Sequence, residues 1–470
     1  MKKRRVLWVL GFLLLAGAGA STALFLANRR DLTTSSQAAY DAFKEATLNR
    51  NRFYFKEARV GFAKALELDP NFAMAMLSMA DIAGDREQAE TLVRRAARQR
   101  DRLTEVERYH VDIAVANIDG KFDEAVRLAR ELNAKHPEDV LGAGYLAKAA
   151  QQGGNPEQAI KIYESLLSVD PNNAEAYNQI GYYYGYRGEY DKAIDNLTRY
   201  QFISPDNANP FDSLGENQAY SGRYNEAIEN LNRALAIKAD FAPAYLHLGV
   251  AYEGQGDYPK AIQSYEKAAE LDDTTVMRRE YLMQALRASL YAHDRDSALA
   301  LIERVSKIPV DVKNDPQNIT GSLLAILGDL ANGRAAEAER RLKELRPTLE
   351  ARFAKYQSEG KIPKAMKPHF REWNLMMARS LEMQGRTDEA LALYELNANP
   401  PNPYEDFGDR RYIMEARAKV AEIVARRGDL DRAEKLIAEN RKWNPSWAPC
   451  RPAETAVAEM RRAKVLAASK

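Results

Sequence analysis

The sequence predicts an all-helical solenoid of about eleven antiparallel helix pairs, preceded by one N-terminal transmembrane helix, on three observations. Alanines recur at one constant step, at Ala125, Ala159, Ala193, Ala227 and Ala261, and a fixed period of about 34 residues marks a repeat architecture. Each period holds two runs of apolar residues at helical spacing. A charge-free run from Val6 to Ala27 follows the cations Lys2, Lys3, Arg4 and Arg5.

From the N-terminus, residues 1–5 form a basic tail and 6–27 a segment long enough to cross a bilayer as a helix. Ala18-Gly19-Ala20 has the small-residue spacing of a signal-peptidase site, so a cleaved, periplasmic soluble form is the alternative. The apolar run continues through Leu24, Phe25 and Leu26, which favours an anchor. Four cations stand before this segment and two after it, Arg29 and Arg30, so the N-terminus is expected in the cytoplasm. That orientation makes the protein a single-pass inner-membrane protein with its array in the periplasm. Residues 28–37 read as a linker.

Residues 38–105 carry degenerate copies of the repeat, through Ala58, Phe62, Ala65 and Pro70. The copy starting near Ala73 is shortened, because only Gly84 and Asp85 separate its two helical runs. Five regular copies span 106–275. In the copy from Ala174 to Asn207, Tyr177, Ile180, Gly181 and Tyr184 share one helical face, and Ala193, Ile194, Leu197 and Tyr200 share the next. Gly188, in step with Gly120, Gly154, Gly222 and Gly256, suits the left-handed end of the first helix, and Pro205 stops the second. Gly181 and Ala193 are small where two antiparallel helices approach most closely.

This pattern resembles the tetratricopeptide (TPR) repeat, matched by Tyr177, Ile180, Gly181, Tyr184, Ala193, Leu197 and Pro205. The next copies repeat it with Phe211, Leu214, Gly215, Ala227 and Leu231, then Tyr245, Leu248, Gly249, Tyr252, Ala261 and Tyr265. The resemblance implies a right-handed superhelix whose inner, concave face binds protein. Divergent copies fill 276–449, around Ala298, Ala338, Ala390 and Ala433. Proline-rich inserts are expected at about 353–368 and 398–404. A last helix within 450–470 would cap the stack. The stretch Leu103 to Tyr109 also resembles TPR arrays of membrane-linked bacterial kinases and regulators, which implies a bacterial envelope or signalling setting.

Charge and chemistry narrow the function. Six of the 68 Lys and Arg lie in the first thirty residues, leaving 62 against 67 acids and a net charge of −5 for the array. Such a surface argues against nucleic acid. The single cysteine, Cys450, forms no internal disulfide. The five histidines stand apart, without an HExxH pair, so neither a metal nor a cofactor is expected, and no small-molecule substrate is evident. Gly254-Gln255-Gly256 falls at an inter-helix turn. Asp406-Phe407-Gly408 and His293-Asp294-Arg295-Asp296 resemble kinase fragments, but they lie over a hundred residues apart among helices.

The chain therefore reads as a non-enzymatic scaffold that recruits or assembles partner proteins; an accessory subunit of an envelope-assembly or signalling enzyme is the alternative. By the TPR resemblance, a protein or peptide partner would touch Tyr145, Lys148, Asn178, Tyr182, Tyr186, Asp212, Glu216, Tyr220, His247 and Glu253 in the groove. The Lys/Asn/Arg clamp that some TPR proteins use for C-terminal carboxylates is absent. The acids Glu175, Asp212, Glu216 and Glu253 instead favour a partner with basic side chains.

Overall fold

The computed structural model describes residues 32–83, 86–152, 155–309, 318–358, 370–400 and 407–468. These form 23 α-helices and two short 3-10 turns, with no strand among the described residues. They divide into two compact units, Met1–Leu132 and Asn133–Lys470. The expected membrane segment, 6–27, lies outside the described residues, and no helix among them is long and apolar enough to cross a membrane.

The first unit contains α1 (Gln37–Asn51), α2 (Phe55–Leu68), α3 (Ala73–Asp81), α4 (Arg86–Ala97) and α5 (Glu105–Ile118), and it takes in most of α6 (Phe122–Lys135). The shortened copy appears as the nine-residue α3. Thr104 opens α5 with a capping box: its side chain accepts from the Glu107 amide while Glu107 accepts from the Thr104 amide at 2.9 Å. Part of the expected linker is fixed here. Thr33 donates to Glu107 from both its amide (2.8 Å) and its hydroxyl (2.6 Å), and Asp69 accepts from Thr34 Oγ1 (2.6 Å) and the Ser35 amide (2.7 Å). Burial opposes ionisation of Asp69, but these donors outweigh it and hold the carboxyl below its ordinary range.

The second unit starts with four pairs of near-constant length. They are α7 (Val140–Gln152) with α8 (Pro156–Val169), α9 (Ala174–Arg187) with α10 (Tyr190–Ile203), α11 (Ala208–Tyr220) with α12 (Tyr224–Ile237), and α13 (Ala242–Gln255) with α14 (Tyr258–Leu271). Asn173 starts α9 by accepting from the Ala176 amide, and Gly188 ends it at φ 78°. In the last three of these pairs a glycine of the first helix meets the second helix. A Cβ on Gly181 would lie 2.6 Å from Leu197, on Gly215 2.7 Å from Leu231, and on Gly249 2.4 Å from the Tyr265 ring. The beat of small residues is thus a steric fit, renewed at each repeat.

Divergent pairs follow: α15 (Thr275–Tyr291) with α16 (Arg295–Ser306), α17 (Ile319–Ala331) with α18 (Ala335–Ser358), α19 (Arg371–Met383) with α20 (Thr387–Ala398), and α21 (Phe407–Arg426) with α22 (Leu430–Trp443). The closing helix is α23 (Arg451–Ala468). Helix α18 carries Pro347 internally and runs to Ser358, so the start of the insert expected at about 353–368 is helical. The rest of that insert, and most of the one expected at about 398–404, lies outside the described residues. The kinase-like fragments take ordinary structural roles. Asp294 accepts from the Ser297 amide at the start of α16, and Phe407 opens α21, while Asp406 lies outside the described residues.

Candidate functional site

The first helices of the central pairs place the expected groove residues in step. Asn178 and Asp212 lie one full repeat apart, as do Tyr182 and Glu216. His247, on α13, enters between the two acids. Its Nδ1 lies 2.8 Å from Asp212 Oδ1 and its Nε2 3.4 Å from Glu216 Oε1. The Tyr182 hydroxyl donates to Glu216 Oε2 at 2.6 Å and lies 3.3 Å from Ser213 Oγ. Three successive repeats are therefore joined by one hydrogen-bonded chain.

Burial sets the electrostatics of this cluster. It would by itself push His247 towards the neutral form, but the two carboxylates outweigh it and raise the imidazole well above its ordinary value of 6.5. Burial likewise opposes charge on Glu216, yet the imidazolium and the hydrogen bonds hold its carboxyl low. For Asp212 burial wins over His247, and its carboxyl is raised. Burial and the neighbouring acids push the Tyr182 phenol upward. The arrangement is an imidazolium held between two carboxylates, and its polar atoms are engaged with one another.

This corrects the expectation that Asp212, Glu216 and His247 present themselves to a partner. They are 2 %, 9 % and 8 % exposed, and their charges are answered within the array. Glu253 is also internal: it accepts from the Tyr265 hydroxyl at 2.9 Å and pairs with Arg411 of α21. Glu175 accepts from Gln179 at 2.6 Å. The acids that favoured a basic partner in the central groove are thus occupied. Asn178 is fully buried, and neither polar atom of its side chain has a hydrogen-bond partner among the described residues. Tyr145, Tyr182, Tyr186 and Tyr220 are half-buried and Lys148 is exposed, so these retain surface for contact.

The residues that occupy the array come from the divergent C-terminal copies, where the repeat pattern offers no register to read. Arg410 Nη1 donates to the Gly185 carbonyl at 2.6 Å. Asn444 accepts from the Tyr224 hydroxyl at 3.0 Å and donates to the Ala219 carbonyl at 3.4 Å, while Arg451 donates to the Gln255 carbonyl at 3.2 Å. These carbonyls stand at the C-terminal ends of α9, α11 and α13, where unpaired acceptors and the helix dipole favour donors and cations. The turn glycines leave the required room. A Cβ on Gly222 would lie 2.5 Å from Asn444 Oδ1, and one on Gly256 3.2 Å from Ala448 Cβ.

The helix pairs match known repeats. Tetratricopeptide repeat models match residues 116–180, 174–207 and 242–274, and a TPR repeat model matches 215–256. Solved structures give partial likenesses. A crystal structure of MamA is 30% identical over 34% of this chain and 93% of its own, with a TM-score of 0.29. YrrB, described as a TPR protein with an unusual peptide-binding site, is 20% identical over 38% of this chain and 91% of its own, at 0.28. A thermophilic TPR protein in Thermus thermophilus is 23% identical over 37% of this chain and 95% of its own, at 0.32. No curated protein matches. The repeat models follow one another from 116 to 274 on the helix pairs described above, and the chain belongs to the tetratricopeptide-repeat proteins.

Proposed function

We propose that the chain is a non-enzymatic, membrane-anchored scaffold that recruits or assembles partner proteins on the inner face of its repeats. The observation that carries this reading is the tetratricopeptide array itself, whose matched copies span 116–274. The half-buried Tyr145, Tyr186 and Tyr220, with the exposed Lys148, supply surface of the kind binding sites favour. Tyrosine offers area and a hydroxyl at small entropic cost. The internally paired Asp212, Glu216 and His247 hold that surface rigid rather than touching the partner.

A photo-crosslinking residue at position 148 of the full chain in intact cells tests this. Covalent capture of a defined protein, reduced severalfold by Tyr145→Ala with Tyr186→Ala, is the expected result. Capture that survives both substitutions unchanged removes the inner face as the site.

The anchor and orientation belong to the same reading. They rest on the sequence from Lys2 to Arg30, where the charge-free run Val6 to Ala27 has the larger cationic cluster on its N-terminal side.

A further inference from the structure

The first helix pair is joined by a turn unlike the others. Between α1 and α2 the Tyr54 amide donates to the Asn49 carbonyl at 2.8 Å, and Phe53 holds the left-handed position of that turn at φ 62°. At seven other helix turns among the described residues glycine takes that conformation, without strain. A bulky residue there is a backbone outlier, and strain of this kind gathers where a side chain is needed for function.

The strained turn presents apolar surface. Phe53 and Phe55 meet edge to face with ring centroids 5.5 Å apart. Phe55 is 37 % exposed, Leu48 on the last turn of α1 is 57 % exposed, and Val60 on α2 is 68 % exposed. Cations stand among them. From Leu48 to Val60 the chain holds Arg50, Arg52, Lys56 and Arg59 against one acid, the half-buried Glu57. Arg52 and Lys56 are exposed and form no ion pair among the described residues, and Arg50 donates to the uncharged side chain of Asn51 at 3.1 Å.

We propose that this tip inserts into the headgroup region of an anionic lipid bilayer, with Phe53, Phe55 and Leu48 at the apolar boundary and Arg52 and Lys56 on lipid phosphates. Aromatic rings favour that depth, and each cation near an anionic surface adds to the attraction. The tip is a turn between two helices and offers a peptide no groove. The proposal rests on the anchored reading for its nearness to a membrane. Six residues lead from Ala27 to Thr33, a reach of about 20 Å, and α1, 15 residues long, spans about 22 Å from its cap Ser36 to the tip. The two lengths match, so the tip can rest on the bilayer that the anchor would enter.

The test places p-benzoylphenylalanine at position 55 of the full chain, reconstituted with vesicles of phosphatidylcholine alone or of two parts phosphatidylcholine to one part phosphatidylglycerol. Illumination is expected to give at least fivefold more lipid adduct on the mixed vesicles. Arg52→Glu with Lys56→Glu should cut that adduct at least fivefold, and Phe53→Gly, which keeps the turn, at least threefold, with the thermal midpoint held in both. Equal adducts on the two compositions, or an unchanged adduct in the charge-reversed variant, overturn the proposal, as does capture of protein alone from position 55 in intact cells. Carbonate extraction of the same samples reads the anchor separately. A chain that resists carbonate but forms no adduct keeps the anchor and loses the tip. Adducts on mixed vesicles by a chain that carbonate releases keep the tip and remove the anchor.

Discussion

Gly249 shows how one atom sets the register of a helix pair. In an exposed helix, replacing glycine by alanine gains about 1 kcal/mol of helix propensity. At Gly249 the added Cβ would lie 2.4 Å from the ring of Tyr265, which is fully buried and has nowhere to move. Overpacking of that kind costs about 1–3 kcal/mol and outweighs the gain. Gly249→Ala is therefore expected to lower the urea midpoint, and Gly144→Ala, whose nearest contact is 3.6 Å away, to hold or raise it. Equal effects of the two would remove the steric reading. His247 makes a second prediction at this scale. Its folded pKa is raised above the unfolded 6.5, so its stabilisation is complete below about pH 6.5 and is lost as pH rises through the higher folded value. Thermal midpoints taken from pH 6 upward should decline more steeply in the native chain than in His247→Gln, and parallel curves would contradict this. The small residues were legible in the sequence because they recur at a constant step. Asp212, Glu216 and His247 were named as groove residues, but their union was not legible. It depends on His247 standing one place off the Asp212 register, where it reaches both acids.

At the scale of elements, the regular pairs were readable and the contacts made by the divergent ones were not. Periodicity locates a helix against its neighbours in sequence, whereas Arg410 reaches Gly185 across 225 residues. The signal for that contact was present in disguise. Gly188, Gly222 and Gly256 were expected as helix terminators and do take left-handed angles of 78°, 81° and 84°. Their lack of a side chain also admits Arg410, Asn444 and Ala448, whereas a Cβ on Gly385 or Gly428 would meet nothing within 4 Å among the described residues. A buried carbonyl left without its donor costs on the order of 1–3 kcal/mol. Arg410→Ala and Asn444→Ala should each lose stability of that order. They should also speed amide hydrogen exchange at the ends of α9 and α11 while leaving α5 unchanged. Uniform exchange across the chain, or none gained at those ends, would show that these contacts do not hold the C-terminal helices in place.

For the whole molecule, the placement of the chain relative to a membrane turns on a balance of charge and length near its N-terminus. The uncharged run Val6 to Ala27 would be about 33 Å long if helical, at about 1.5 Å per residue, enough for a hydrocarbon core of about 30 Å. The first residues described after it do not hang free. Thr33 and Thr34 are bonded to Glu107 and Asp69, so only a few residues separate the end of the apolar run from a fixed point on the first unit. An anchored chain would then hold its first repeats close to the bilayer. Two measurements bear on this. A reporter active only outside the cytoplasm, fused after Lys470, should be active, because four cations before the apolar run outweigh the two behind it. The full chain should also remain with membranes through alkaline carbonate and leave them in detergent. A chain released by carbonate and shortened to begin after Ala20 would identify Ala18-Gly19-Ala20 as a cleavage site, and the array would then act as a freely diffusing scaffold. A cytoplasmic reporter would reverse the orientation and move every partner considered above to the other side of the membrane.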